Sequence, residues 1–286
     1  MLEIKIDEEK GGALSSILFN GEEMLHQKDE KSWMGQDVNI FPFIARLQNG
    51  IYHVEGKAYS LKNHGLIRYM KPKVICRTAS IITEVFESNE DTLKQYPFKF
   101  KFYVSYIIRN NTLTIKNTII NEDDKTMYYG LGFHPAIRLA CNEEEDNLNI
   151  DGNYIDFGKK ITLQKYLTDE RGEFVKNKVD FLSSRYFYLS KYKFKKDLSY
   201  VIDSKNVSTV NLVRRDNIIV SYKFNKAPII TIWTKEKYGD FICIEPWFGL
   251  PDEVNNKIEL KDKKLINSLT QGSSSTYSYS MKFMVK

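Results

Sequence analysis

The chain has 286 residues, 42 basic and 37 acidic side chains, a net charge of +5 and 42% hydrophobic residues. That balance describes a globular chain, and its small, scattered positive excess forms no basic stripe of the kind that tracks nucleic-acid phosphates. A chain this long buries roughly three quarters of its unfolded surface without disulfide staples, and its three cysteines, Cys76, Cys141 and Cys243, form no CxxC pair that would suggest a disulfide framework or a zinc ribbon.

The opening "MLEIKIDEEKGG" alternates and carries acids where a signal peptide would have an apolar block. No apolar run approaches the ~18 residues that cross a bilayer. A cytoplasmic protein with no membrane partner is expected. Residues 39–68, "NIFPFIARLQNGIYHVEGKAYSLKNHGLIR", then gather Arg46, Asn63, His64 and Arg68 among Pro42, Gly50, Gly56 and Gly65. Arginine supplies a forked donor and histidine a neutral donor or acceptor, groups suited to holding ring hydroxyls.

Downstream of this segment, period two dominates. In "YPFKFKFYVSYII", Phe98, Phe100, Phe102, Val104, Tyr106 and Ile108 fall on one face, with Lys99, Lys101 and Ser105 on the other. "RNN" breaks the run and "TLTIKNTII" resumes it with Leu113, Ile115 and Ile119 in phase, which predicts a hairpin with one wet face. "APIITIWT" and "FICIEPW" around a "KEKYGD" turn predict another hairpin, and "STYSYSMKFMV" a last strand. No long stretch has helical periodicity. "EEEDNLN" and "KYLTDERGEF" are charged and turn-rich, and are expected as surface loops. The predicted fold is all-β, one domain over residues 1–286, most simply a large antiparallel sandwich with few or no long helices.

Two strand ends stand out. In "YYGLGFHPAI", alternation places Gly130, Gly132 and His134 on one face. Strand glycines mark close approach by a ligand or another backbone, so an open volume is expected beside His134. Pro135 holds His134 in the extended region. In "ICIEPWFGLPD", Cys243 and Glu245 share a face and Pro246 restricts Glu245 in the same way. Only seven prolines exist in the chain, and two directly follow these candidates. Trp247 adds an aromatic surface of the kind that stacks on a pyranose. His26 and His53 carry no comparable pattern and are given no role.

The motifs "FPFIARL", "NHGLIR", "GFHPAI" and "CIEPWFGLPD", in this order, resemble those of the aldose 1-epimerases (galactose mutarotases), closest to the shorter, lactose-operon-associated branch. The resemblance runs from "ILFNGEEMLH" to the terminal "YSYSMKF". It implies a large β-sandwich, interconversion of aldose anomers and no cofactor or metal. By the resemblance, Glu245 is the general base, His134 the general acid, His64 a second histidine near the ring oxygen, Arg46 a substrate-gripping arginine and Asp197 a hydroxyl-binding aspartate. The chain departs from the well-characterised mutarotases in reading "GFHPAI" for their Asn-His-aromatic pattern and "PWFGLPD" for their Thr-Gln run. The chemistry transfers further than the sugar preference does.

The expected partner is a small sugar, bound by a monomer or homodimer. A hexose 6-phosphate is an alternative substrate that Arg46 and Arg68 would permit. A non-catalytic sugar-binding protein is a second alternative. A glycoside hydrolase would need a carboxylate pair at set separation, for which only Glu245 and Asp252 offer themselves. A metal site from His64, His134 and Glu245 has no HxH or HExxH spacing behind it.

Overall fold

The structure, a computed structural model, describes residues 1–139, 150–169, 173–204, 207–236, 239–254 and 258–284, without the side chains of Lys176, Lys191 and Asp197. The expected "EEEDNLN" loop and Cys141 lie outside the described residues.

Alternation becomes strand wherever it was strongest. In Phe100–Arg109 every second residue from Phe100 to Tyr106 is buried, and the partner strand Thr112–Asn121 buries Leu113, Ile115 and Ile119. Residues Arg109 and Thr112 face each other across a two-residue turn in which Asn110 takes a φ of +54°, a conformation that asparagine tolerates. The last strand, Ser274–Phe283, pairs with Thr112–Asn121 on its other side.

These strands belong to an antiparallel sheet that has 15 strands among the described residues. Its path runs from Asn39–Ile40 through Leu131–Phe133, Phe241–Phe248 and Ile229–Trp233, and ends at Ile81–Glu87 and Lys73–Arg77. One hydrophobic cluster joins residues from Leu2 to Phe283 and takes in Phe100, Phe102, Val104 and Tyr106 from one region of the sheet with Ile242 and Ile244 from another. The all-β expectation holds, and the only α-helix among the described residues is Glu90–Gln95. Asn89 caps it by accepting from the Asp91 and Thr92 backbone N–H groups.

One expectation is corrected. "KYLTDERGEF" is not wholly a loop, because Lys165–Thr168 complete the strand Tyr154–Thr168 and Phe174 opens the strand Phe174–Tyr188. Each strand is 15 residues long. Tyr166 and Phe174 are buried at 3% and 2% exposure and pack edge to face, and Glu173 beside them is buried as well. Composition shows the charges and not the buried Tyr166–Phe174 pair.

Candidate active site

The strand Phe241–Phe248 is buried along its whole length. Ile242 and Ile244 enter the main hydrophobic cluster, so Cys243, Glu245 and Trp247 face the other way. On one side, Thr231 stands opposite Glu245 and Trp233 opposite Cys243. On the other, Gly132 stands opposite Trp247 and Ala136 opposite Cys243. The register is unbroken between those two pairings, so His134 falls opposite Glu245 although Pro135 interrupts the strand there. The His134 Nε2 lies 3.5 Å from the Glu245 Oε2, and the Trp247 indole N–H donates to that same oxygen at 3.0 Å.

This floor opens into a cavity of about 410 Å³ whose lining includes Arg46, Asn63, His64, His134, Glu245 and Trp247. Six of the seven residues singled out from the sequence thus meet at one place. The seventh, Asp197, ends the 3-10 segment Lys191–Asp197, and its side chain lies outside what the structure describes, although its neighbours Lys196 and Leu198 line the cavity.

The open volume expected above the glycines is corrected. A Cβ on Gly132 would come within 2.7 Å of the Trp247 ring, and one on Gly130 within 3.2 Å of Ile44. The glycines make room for protein side chains, and in doing so seat Trp247 where it reaches Glu245.

The wall is built on strained backbone. His64 adopts φ +63° and Ala45 φ +49°, a region costly to residues with a Cβ. The His64 backbone N–H donates to the Ala45 carbonyl at 2.9 Å, so each holds the other in place. Gly65 follows at φ +79°, where a Cβ would lie 2.4 Å from the Phe41 carbonyl oxygen. The imidazoles of His64 and His134 meet edge to face at 5.3 Å.

Two tryptophans and an aspartate escaped the sequence reading. Trp33 stacks on His134 at 5.1 Å, and Trp233 meets it edge-on at 5.7 Å. Trp33 is placed by His26, whose ring nitrogens bond the Trp33 carbonyl at 2.9 Å and the Asp240 carboxylate at 3.1 Å, so His26 has a structural task. Asp37 faces the backbone N–H groups of Leu14, Val38 and His134, which hold its carboxyl down while burial pushes it up to about 6. Trp233 was recoverable, since the predicted hairpin sets it opposite Cys243. Trp33 and Asp37 sit in an irregular segment with no periodic signal.

Burial shapes the protonation of the pair. His134 and Glu245 are 6% and 1% exposed. Desolvation, helped by the charge of Arg68, lowers the His134 pKa to about 3. Desolvation raises the Glu245 carboxyl well above its ordinary value, against the pull of the Trp247 N–H. His64 is held well below its ordinary value by burial, then by His134 and the two arginines. Both shifts favour the neutral pair on the dry floor, with the proton on the Glu245 carboxyl and the His134 imidazole unprotonated. A couple that exchanges one proton across a polar cavity can take a proton from one oxygen of a ligand and give one to another.

A family model for aldose 1-epimerase matches residues 8–267. The chain belongs to the aldose 1-epimerase family. Those proteins are carbohydrate epimerases, and the match agrees with the motifs read from the sequence. Protein LacX of Lactococcus lactis subsp. lactis, in its chromosomal form, is 24% identical over 285 residues, covering 94% of this chain and 92% of its own. The fold is shared with a galactose mutarotase related enzyme from Lactobacillus acidophilus, at a TM-score of 0.89 and 28% identity over 100% of this chain and 98% of that one. A galactose mutarotase-like protein from Lactobacillus casei superposes at a TM-score of 0.92 with 21% identity, covering 99% and 97%.

Proposed function

We propose that this epimerase-family chain interconverts the α and β anomers of a free hexose such as glucose or galactose, working in the cytoplasm and without a cofactor. The observation that carries the reading is the His134–Glu245 couple at 3.5 Å on the floor of a cavity that tryptophans flank. Glu245 removes the proton of the C1 hydroxyl while His134 protonates the ring oxygen. The ring opens to the aldehyde, the C1–C2 bond turns by about half a revolution, and the ring recloses with the roles reversed. Entry of the sugar's hydroxyls restores polarity to the floor, which favours the charge-separated form of the pair, carboxylate and imidazolium, over the neutral form that the dry floor prefers. Arg46, Asn63 and His64 hold the remaining hydroxyls.

The optical rotation of freshly dissolved α-D-glucose and α-D-galactose tests this. The protein should speed the approach to equilibrium, and Glu245→Gln should lose ~10²–10⁴-fold in kcat/KM. Because burial lowers the His134 pKa to about 3, the pH profile should be a bell whose acid limb lies well below the ordinary histidine range. A Glu245→Gln variant with nearly full rate, or sugar binding without acceleration, would reject the mechanism.

A second reading is supported by charge. Arg46, Arg68, Lys196 and Lys235 line the cavity, and Glu245 is the one carboxylate among its described lining residues. An arginine fork suits a phosphate group, so the substrate of this reading is a hexose 6-phosphate. A preference of more than about tenfold in kcat/KM for galactose 6-phosphate over galactose would replace the free hexose, tenfold being about 1.4 kcal/mol of extra binding.

A further inference from the structure

The floor holds a third side chain to which the proposed chemistry gives no work. Cys243 is fully buried and lies two residues before Glu245 on the same face of the same strand. A ring nitrogen of His134, the Cys243 sulfur and a carboxylate oxygen of Glu245 all lie within 4.8 Å of one another. Among the described residues, no other three side chains of these types gather in this way.

We propose that these three side chains form a binding site for zinc or a similarly thiophilic divalent cation, and that the bound ion shuts off the epimerase. The inhibitory part rests on the roles given above to His134 and Glu245. The binding part does not.

Zinc takes a thiolate at about 2.3 Å and imidazole or carboxylate at about 2.0–2.2 Å, usually in a tetrahedron. Ligand atoms around such an ion lie about 3.3–3.6 Å apart by that geometry. His134 and Glu245 already meet this spacing at 3.5 Å. From within 4.8 Å the sulfur has to close by at most about 1.2–1.5 Å to reach that spacing, which a change in side-chain torsion can supply. His134 and Glu245 line the cavity, and water or a sugar oxygen entering there would supply the fourth ligand. The Trp247 N–H on the Glu245 Oε2 orients the carboxylate from behind, as outer partners do at metal sites.

Charge balance favours the ion. Burial opposes the ionised form of Cys243 and of Glu245 taken alone. A dication with one thiolate, one carboxylate and one neutral imidazole sums to zero, so the penalty that each anion meets alone is offset. Binding releases the thiol proton and the carboxyl proton to solvent and changes no oxidation state. It also occupies the His134 lone pair and the Glu245 oxygen, so neither can move a proton. Thiolate softness selects zinc over magnesium or calcium.

The test uses cobalt(II) as a spectroscopic substitute for zinc on the metal-free protein. Wild type should develop a sulfur-to-cobalt charge-transfer band that zinc abolishes, and Cys243→Ser should develop none. In the anomer-exchange assay, zinc should inhibit wild type reversibly while magnesium does not. Cys243→Ser should keep most of its basal rate and need at least about 10–100-fold more zinc for half inhibition. No band in wild type, or a band that survives in Cys243→Ser, overturns the proposal. Should Cys243→Ser not fold, Glu245→Gln keeps the thiol and removes another ligand, and unchanged cobalt affinity in that variant overturns the site equally. The band is read without substrate, so it still decides the matter if the protein proves not to be an epimerase.

Discussion

The floor and the wall of the cavity are made differently. The floor comes from neighbouring strands in continuous register, with Thr231, Glu245 and His134 in one row and Trp233, Cys243 and Ala136 in the next. Its groups are almost wholly dry, and their spacing is that of the sheet itself. The wall comes from connecting segments in which Ala45, His64 and Lys196 all take left-handed backbone angles, and its cations reach water. Sheet register holds these side chains in place at little local cost. The wall stores strain to present charge.

Substitution should separate the two regions. The largest effect is expected at the floor, where His134→Asn should reduce kcat/KM by ~10²–10⁴-fold with an unchanged circular dichroism spectrum. A rate within a few-fold of wild type would remove His134 from the chemistry. Beneath it, Gly132→Ala drives a methyl group into Trp247 and should cost about 1–3 kcal/mol of stability in urea melts, with a further loss of rate because Trp247 no longer steadies Glu245. A fully stable, fully active variant would show that the tight glycine contact has no function. The smallest effect is expected at the wall. Arg46 is exposed, and Arg46→Gln should raise KM about tenfold, the worth of one charged hydrogen bond, with little change in kcat. A collapse of kcat there would mean that the wall shares in the proton transfer.

Much of the floor was legible in the sequence alone, because period two reports which residues share a face. Cys243, Glu245 and Trp247 emerge from counting along one strand, and the two adjoining prolines marked His134 and Glu245 as stiff. What periodicity cannot supply is what lies across from a strand that is not a hairpin neighbour. The pairing of Phe241–Phe248 with the strand that ends at Phe133 joins segments more than a hundred residues apart, and here the family motifs supplied what spacing could not. Lys165–Thr168 looks like loop in composition because the run of charges that follows it outweighs the single buried Tyr166. The glycines mark close approach, but by the Trp247 and Ile44 side chains and not by a ligand beneath an open volume.

The chain contains three tryptophans, and Trp33, Trp233 and Trp247 all line the cavity. Its intrinsic fluorescence is therefore a local signal, with every indole emitter on the wall or floor of one pocket and none elsewhere to dilute it. A sugar that stacks there, or an ion that settles against the Trp247–Glu245 contact, alters the whole emission of the protein, so occupancy can be titrated with no label and no turnover.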